Sequence, residues 1–236
     1  RKAARHVRKI FVEKPMADSL EEAQALSAFA AEKHLQIQVG FIERFNPAVQ
    51  QLKSVLDKSM QVISIDFTRT NKLSSRITDV DVVTDLMIHD IDLALYLNGP
   101  VSSVSAHGVA QGHMIDFASA LLTHQNGRFS RIQASRITEK KIRTIQATCI
   151  DMYVDCELVR KELLINRQSE IQQQDGGPYT ISAIEQTIEV RQQEALLTEL
   201  QSFVAFCRDQ DVVVPTATDG LRAADICDQI QKAVRQ

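Results

Sequence analysis

An α/β unit leading into an α+β domain is the fold class that the sequence predicts, on three observations. Residues 10 to 39 read strand, helix, strand, which is one right-handed βαβ unit of a parallel sheet. Residues 60 to 166 hold a run of strand-like segments bounded by helical ones, the pattern of an open, mostly antiparallel sheet. Helical segments are too few to cover both faces of such a sheet, so one face is left for another contact, expected to be a second copy of the chain. The boundary is expected near Gly40, giving units 1–40 and 41–236.

The elements follow in order. Ile10-Phe11-Val12 is a short apolar run closed by Glu13-Lys14-Pro15, a buried strand with polar groups at its end. Ser19-Leu20-Glu21-Glu22 is a capping box, and Ala23, Leu26 and Ala30 carry a helical stripe to about His34. Leu35 to Val39 alternates with period two and stops at Gly40. Asn46-Pro47 supplies an N-cap and an N1 proline for a helix to about Leu56. Met60 to Thr70 alternates, with Ile63, Ile65 and Phe67 expected on one face. A helix from about Asp81 to Leu97 ends at Asn98-Gly99-Pro100. Strands are expected at 101–110, 114–124, 127–137, 141–150, 152–158 and 162–166, with Gln125-Asn126-Gly127 as a hairpin signal. Asp175 to Pro178 reads as an exposed turn, and helices at about 192–208 and 219–234 finish the chain.

Composition bounds the function. The 236 residues are 44% hydrophobic and 24% charged, an ordinary globular balance for one large domain or two small ones. Lys plus Arg number 27 against 30 Asp plus Glu, so the chain is not built as a polyanion binder, and no basic face or recognition helix suggests nucleic acid. Cys149, Cys156, Cys207 and Cys227 form no C-x-x-C pair and read as small hydrophobes in a reducing compartment, the cytoplasm. No run approaches the roughly 18 apolar residues of a membrane span. The basic start, Arg1 to Lys9, is followed by too short an apolar stretch for a signal peptide, and the absence of an initiating Met suggests a piece of a longer protein.

Two places carry candidate chemistry. In a helix, Asp81, Asp85, His89, Asp92 and Tyr96 share one face while Val82, Val83, Leu86, Met87 and Ile91 fill most of the rest. The stripe either faces solvent or lines a cleft. Asp85 precedes His89 by four residues, the spacing of a carboxylate that orients an imidazole and raises its basicity. A metal site at His89-Asp90-x-Asp92 is disfavoured because these side chains diverge on a helix. Lys14 lies at the C-terminal end of an expected parallel strand, where open α/β sheets place ligands. Pro15 holds the Lys14 backbone extended and permits a cis bond.

These segments, Phe11-Val12-Glu13-Lys14-Pro15-Met16-Ala17, Val39-Gly40-Phe41-Ile42-Glu43-Arg44-Phe45-Asn46-Pro47 and Asp85-Leu86-Met87-Ile88-His89-Asp90-Ile91-Asp92, resemble the Gfo/Idh/MocA family of NAD(P)-dependent sugar oxidoreductases. Pro215 with Asp219-Gly220-Leu221-Arg222 fits the same resemblance, which covers essentially the whole chain. It implies the end of a Rossmann domain followed by a substrate and oligomerisation domain. It implies a cofactor, NAD or NADP, contacted by Glu13, Lys14 and Pro15. It also implies that Lys14 and His89 are catalytic, with Asp85 as partner and substrate contact, acting on a secondary hydroxyl. The departure is the phosphate cradle: no G-x-G-x-x-G occurs, so most of the dinucleotide site would precede Arg1 and this polypeptide alone is expected to be inactive.

The resemblance is strongest to members acting at the 3-position of UDP-N-acetylglucosamine. Arg44, Arg69, Lys72, Arg76, Arg136, Lys140, Lys141 and Arg143 are cations that could clamp a diphosphate, Arg44 and Arg136 first, with Asn46 beside them. His107, His113 and His124 are expected to have no catalytic role. The alternative is a non-catalytic member of the superfamily that binds ligand or regulates.

Overall fold

Strands β1 (Lys9–Glu13) and β2 (Gln36–Gly40) run parallel, with Glu13 opposite Gly40, and α1 (Leu20–Glu32) connects them. The computed structural model describes residues 6–72, 80–112, 114–172 and 180–236; the expected turn at Asp175 to Pro178, Arg76 and His113 lie outside them. Ser19 caps α1 by accepting from the Glu22 amide at 3.2 Å. Asn46 caps α2 (Pro47–Leu56) by accepting from the Ala48 amide at 3.1 Å, with Pro47 in the first turn. In both cases a side-chain oxygen satisfies an amide that has no partner inside the helix.

The second sheet has eight strands. They are β3 (Val62–Thr70), β4 (Val101–Gln111), β5 (Met114–His124), β6 (Phe129–Ser135), β7 (Ile142–Cys149), β8 (Met152–Glu157), β9 (Glu162–Gln172) and β10 (Thr180–Ile188). Their order is β10-β9-β8-β7-β3-β6-β5-β4; only β3 and β6 pair in parallel. One row across the sheet, Ala106, Ala120, Ile132, Phe67, Ile145, Cys156 and Leu163, is in register from strand to strand, and every member is buried. Leu121, Arg131, Asp66, Gln146 and Asp155 form the next row, which points to the opposite, helix-free face. Side chains alternate along each strand, so the helices that cover the buried row lie on one side of the sheet. They are α2, α3 (Ile88–Asn98) and α5 (Ala217–Val234), while α4 (Ala195–Cys207) sits against the 42–45 turn.

Helix α5 joins the two sheets. Thr216 and Asp219 form a reciprocal capping box at its start, and the Val39 amide donates to the Pro215 carbonyl at 2.8 Å. Gly220 faces β2 so closely that a Cβ there would sit 3.0 Å from Met16 Sδ and 3.1 Å from Val39 Cγ2, so any side chain at this position requires Met16 or Val39 to give by a few tenths of an ångström.

Three local expectations are corrected. Ile63 is exposed and Val62 buried, because the β3–β7 register shifts between Val62 and Ser64 and the bulge reverses the alternation. The segment Thr180 to Ile188, unassigned from sequence, is the edge strand β10. Cys207 is exposed, unlike Cys149, Cys156 and Cys227.

Candidate active site

Strand β1 delivers Glu13-Lys14-Pro15 at its C-terminal end, and the Lys14–Pro15 bond is cis. The Lys14 Nζ donates to the Asp85 carbonyl at 2.7 Å and lies 3.8 Å from the Asp85 carboxylate. Burial lowers the Lys14 pKa below its usual value; Asp85 opposes this and Arg69 adds to it. The ammonium has three N–H donors and, among the described residues, makes one hydrogen bond, so donors remain for a ligand. The Glu13 side chain folds over Gly40, where a Cβ would fall 2.8 Å from Glu13 Oε2.

Asp85 stands in a π turn, Val83–Met87, just before α3. The Ile88 amide donates to the Val83 carbonyl, five residues back. Val82, Val83 and Thr84 are β-branched, poor formers of a tight helical turn. This turn changes the angular relation on which the Asp85–His89 pairing depended. Asp85 meets Lys14, and no hydrogen bond joins it to His89 among the described residues. The expected carboxylate-raised basicity is corrected as well. Burial, then the charges of Arg69, Lys14 and Arg143, push the His89 pKa well below its ordinary value. His89 is therefore a neutral imidazole at pH 7, and its Nδ1 is buried without a partner.

Behind the imidazole lies an ion network. Arg69 follows Ile65 and Phe67 on the inward register of β3, where a guanidinium enters the core. Its Nε and Nη2 donate to the two Asp90 oxygens at 2.9 and 2.8 Å, and Nη1 donates to Glu43 at 2.8 Å. Burial raises the Asp90 pKa, while Arg69, against burial, holds Glu43 below the usual carboxylate range. Arg143 Nη1 approaches Glu43 at 3.8 Å.

The other candidates do structural work. Arg44 closes its fork on Asp92 at 2.8 and 2.6 Å, reaches Asp219 at 3.3 Å and lies over the Tyr96 ring. Asn46 caps α2 and donates to Glu43, and Arg136 is buried against the Val80 carbonyl and, at 3.7 Å, Asp116. These placements argue against a substrate clamp at Arg44, Asn46 and Arg136: Arg44 and Asn46 donate to internal carboxylates, and Arg136 is buried, with Nη2 on the Val80 carbonyl and an Nε that has no hydrogen-bond partner among the described residues. The five-membered stripe dissolves too: Asp81 caps the turn through the Val83 and Thr84 amides, and Asp92 is buried under Arg44. His124 bonds the Gly99 carbonyl and Ser130, a structural role. Missed from sequence were Glu43 and Asp90; the signal was Arg69 itself, an arginine at an inward strand position that demands carboxylate partners.

The sequence model of the GFO/IDH/MocA C-terminal domain matches residues 62–150, and that of the oxidoreductase family NAD-binding Rossmann fold matches residues 1–41. The chain belongs to the Gfo/Idh/MocA oxidoreductase family. It is 32% identical over 200 residues to the UDP-N-acetylglucosamine 3-dehydrogenase of Acidithiobacillus ferrooxidans, covering 82% of this chain and 60% of that enzyme. It is 34% identical over 154 residues to the scyllo-inositol 2-dehydrogenase (NAD(+)) of Bacillus subtilis, covering 57% and 44% respectively. The solved Acidithiobacillus enzyme superposes with a TM-score of 0.81 at 29% identity, over 95% of this chain and 70% of that one. Levoglucosan dehydrogenase in complex with NADH and levoglucosan shares the fold, with a TM-score of 0.81 at 21% identity over 99% of this chain and 73% of that one. The chain thus spans less than two thirds of the length of the two curated relatives. No helix of the described residues is long and apolar enough to cross a membrane.

Proposed function

We propose that this Gfo/Idh/MocA chain forms the substrate side of an NAD-dependent dehydrogenase that oxidises a secondary hydroxyl of a sugar or nucleotide-sugar, with position 3 of UDP-N-acetylglucosamine as the first candidate. The observation that carries the proposal is the meeting of the strand-end ammonium of Lys14 with the Asp85 turn that leads into His89. A neutral imidazole accepts a hydroxyl proton, and an ammonium with free donors stabilises the alkoxide that develops. The proton goes to His89 Nε2, the ring nitrogen other than the buried, unpartnered Nδ1. Asp85 holds Lys14 through its carbonyl and its carboxylate and opposes the lowering of the ammonium pKa by burial. The donor set of Lys14 fits a nicotinamide end held by Glu13, Lys14 and Pro15, and a bound nicotinamide supplies the hydride acceptor. The scyllo-inositol relative named for NAD(+) supports NAD as that cofactor.

No glycine-rich phosphate loop occurs in the 236 residues, so the polypeptide by itself binds NAD weakly. Calorimetry that returned tight NAD binding would remove that point. The chain pairs with a second copy through the helix-free sheet face, which exposes Leu121, Phe129 and Tyr153. A monomer by light scattering at micromolar concentration would overturn the pairing. The test of the activity is NAD reduction with UDP-sugars, inositol and free hexoses, in a form that carries a dinucleotide-binding segment ahead of residue 1. Failure of every sugar to be oxidised, with ligand still bound, would favour a non-catalytic binding member of the family.

A further inference from the structure

Of the arginines considered as substrate clamps, Arg44 and Arg69 donate to buried carboxylates and Arg136 is itself buried, whereas a fourth is neither so paired nor so buried. The inward side chains of β7 are Arg143, Ile145, Ala147 and Cys149; the last three enter the core, whereas Arg143 keeps a third of its side chain, 32%, exposed. Arg143 stands directly opposite Arg69 across the β3–β7 pair, and like charges so placed repel. Arg69 is saturated by Asp90 and Glu43. The carboxylate oxygen that Arg143 faces at 3.8 Å, Glu43 Oε1, is the one Arg69 already holds at 2.8 Å. The Arg143 guanidinium makes no hydrogen bond among the described residues. Burial and Arg69 both act against its charge, and that charge in turn reaches His89.

We propose that Arg143 is a specificity-determining residue that binds an oxyanion, a phosphate or a carboxylate, carried by the substrate beside the hydroxyl presented to His89. A guanidinium matches either group with two parallel N–H donors, and a half-buried fork with unused donors loses little on engaging one. An anion there also offsets the Arg69–Arg143 repulsion. The inference rests on the sugar-hydroxyl reading of Lys14 and His89, and it makes the substrate an anionic sugar instead of a neutral polyol.

The experiment is calorimetry on the 236-residue chain with N-acetylglucosamine, N-acetylglucosamine 1-phosphate and glucuronic acid, with NMR observation of the His89 ring. At least one anionic sugar binds ten-fold or more tighter than the neutral one, and the arm that does so tells phosphate from carboxylate. Arg143→Gln abolishes that preference and leaves neutral-sugar affinity in place, while Arg143→Lys, which keeps the charge without the fork, retains part of it. A wild type with no preference, or a preference that survives Arg143→Gln, overturns the proposal. If Arg143→Gln does not fold, an undiminished preference in Arg143→Lys overturns it in the same way. Anion binding that depends on Arg143 but leaves the His89 ring unperturbed supports the oxyanion site and removes the dehydrogenase reading instead.

Discussion

Replacing Arg69 with Met removes one cation from between two buried carboxylates. The guanidinium is 2% exposed and makes three hydrogen bonds of 2.8 to 2.9 Å, two to Asp90, itself 2% exposed, and one to Glu43. The substitution conserves volume, so packing loss is small, and the cost lies in the charges left behind. Breaking a buried pair of this kind costs about 3–5 kcal/mol, a large share of the 5–15 kcal/mol that holds a typical domain folded. Urea denaturation of the chain is the assay, read as a fall in midpoint at unchanged slope. Adding Asp90→Asn and Glu43→Gln to the Met variant removes the stranded charges and is expected to recover more than half of the loss. An Arg69→Met loss below about 1 kcal/mol would refute the reasoning, as would a triple variant no better than the single one. The same Met variant that folds should show a His89 pKa closer to 6.5, though still below it, because burial is the leading cause of the depression and Arg69 the second.

Other outcomes follow from single groups. Glu199, 1% exposed with an unpartnered oxygen, is raised to about 7 by burial and by Glu13. Between its ordinary value of 4.5 and about 7, the folded state keeps a proton that the unfolded state has lost, so stability falls as pH rises and levels off above that range. Glu199→Gln should remove this slope and stabilise the chain at pH 8 by up to about 3 kcal/mol, measured as denaturation midpoints from pH 5 to 8. Asp85→Asn should lower the Lys14 pKa further, by NMR titration, since the carboxylate opposes burial there. Thr216→Ala should cost about 1 kcal/mol by denaturation through loss of the cap of α5.

Periodic and capping signals carried most of the fold. Asn46-Pro47, Gln125-Asn126-Gly127 and the alternation of Ile65 and Phe67 act over a few residues, and each sits where its chemistry requires. The bulge at Ile63 was not legible, because register depends on the partner strand, which a single segment does not encode. Edge strand β10 pairs on one side only, and its sequence alternates weakly. At the candidate site, Lys14, Asp85 and His89 were legible as residues but not as a geometry. The π turn redirects Asp85 from the imidazole to the ammonium, and no helical spacing rule anticipates an inserted residue. Arg44 and Arg136 looked like free cations because carboxylates distant in sequence, Asp92, Asp219 and Asp116, become their partners only on folding.

His89→Ala bears most directly on the proposed chemistry. With the dinucleotide-binding segment of the Acidithiobacillus enzyme placed ahead of residue 1, NADH formation from UDP-N-acetylglucosamine is followed in wild type and variant. The wild type is expected to turn over, and the variant to lose about 10²–10⁴-fold in kcat with a smaller change in KM. A variant that keeps the wild-type rate would contradict the assignment of proton transfer to His89.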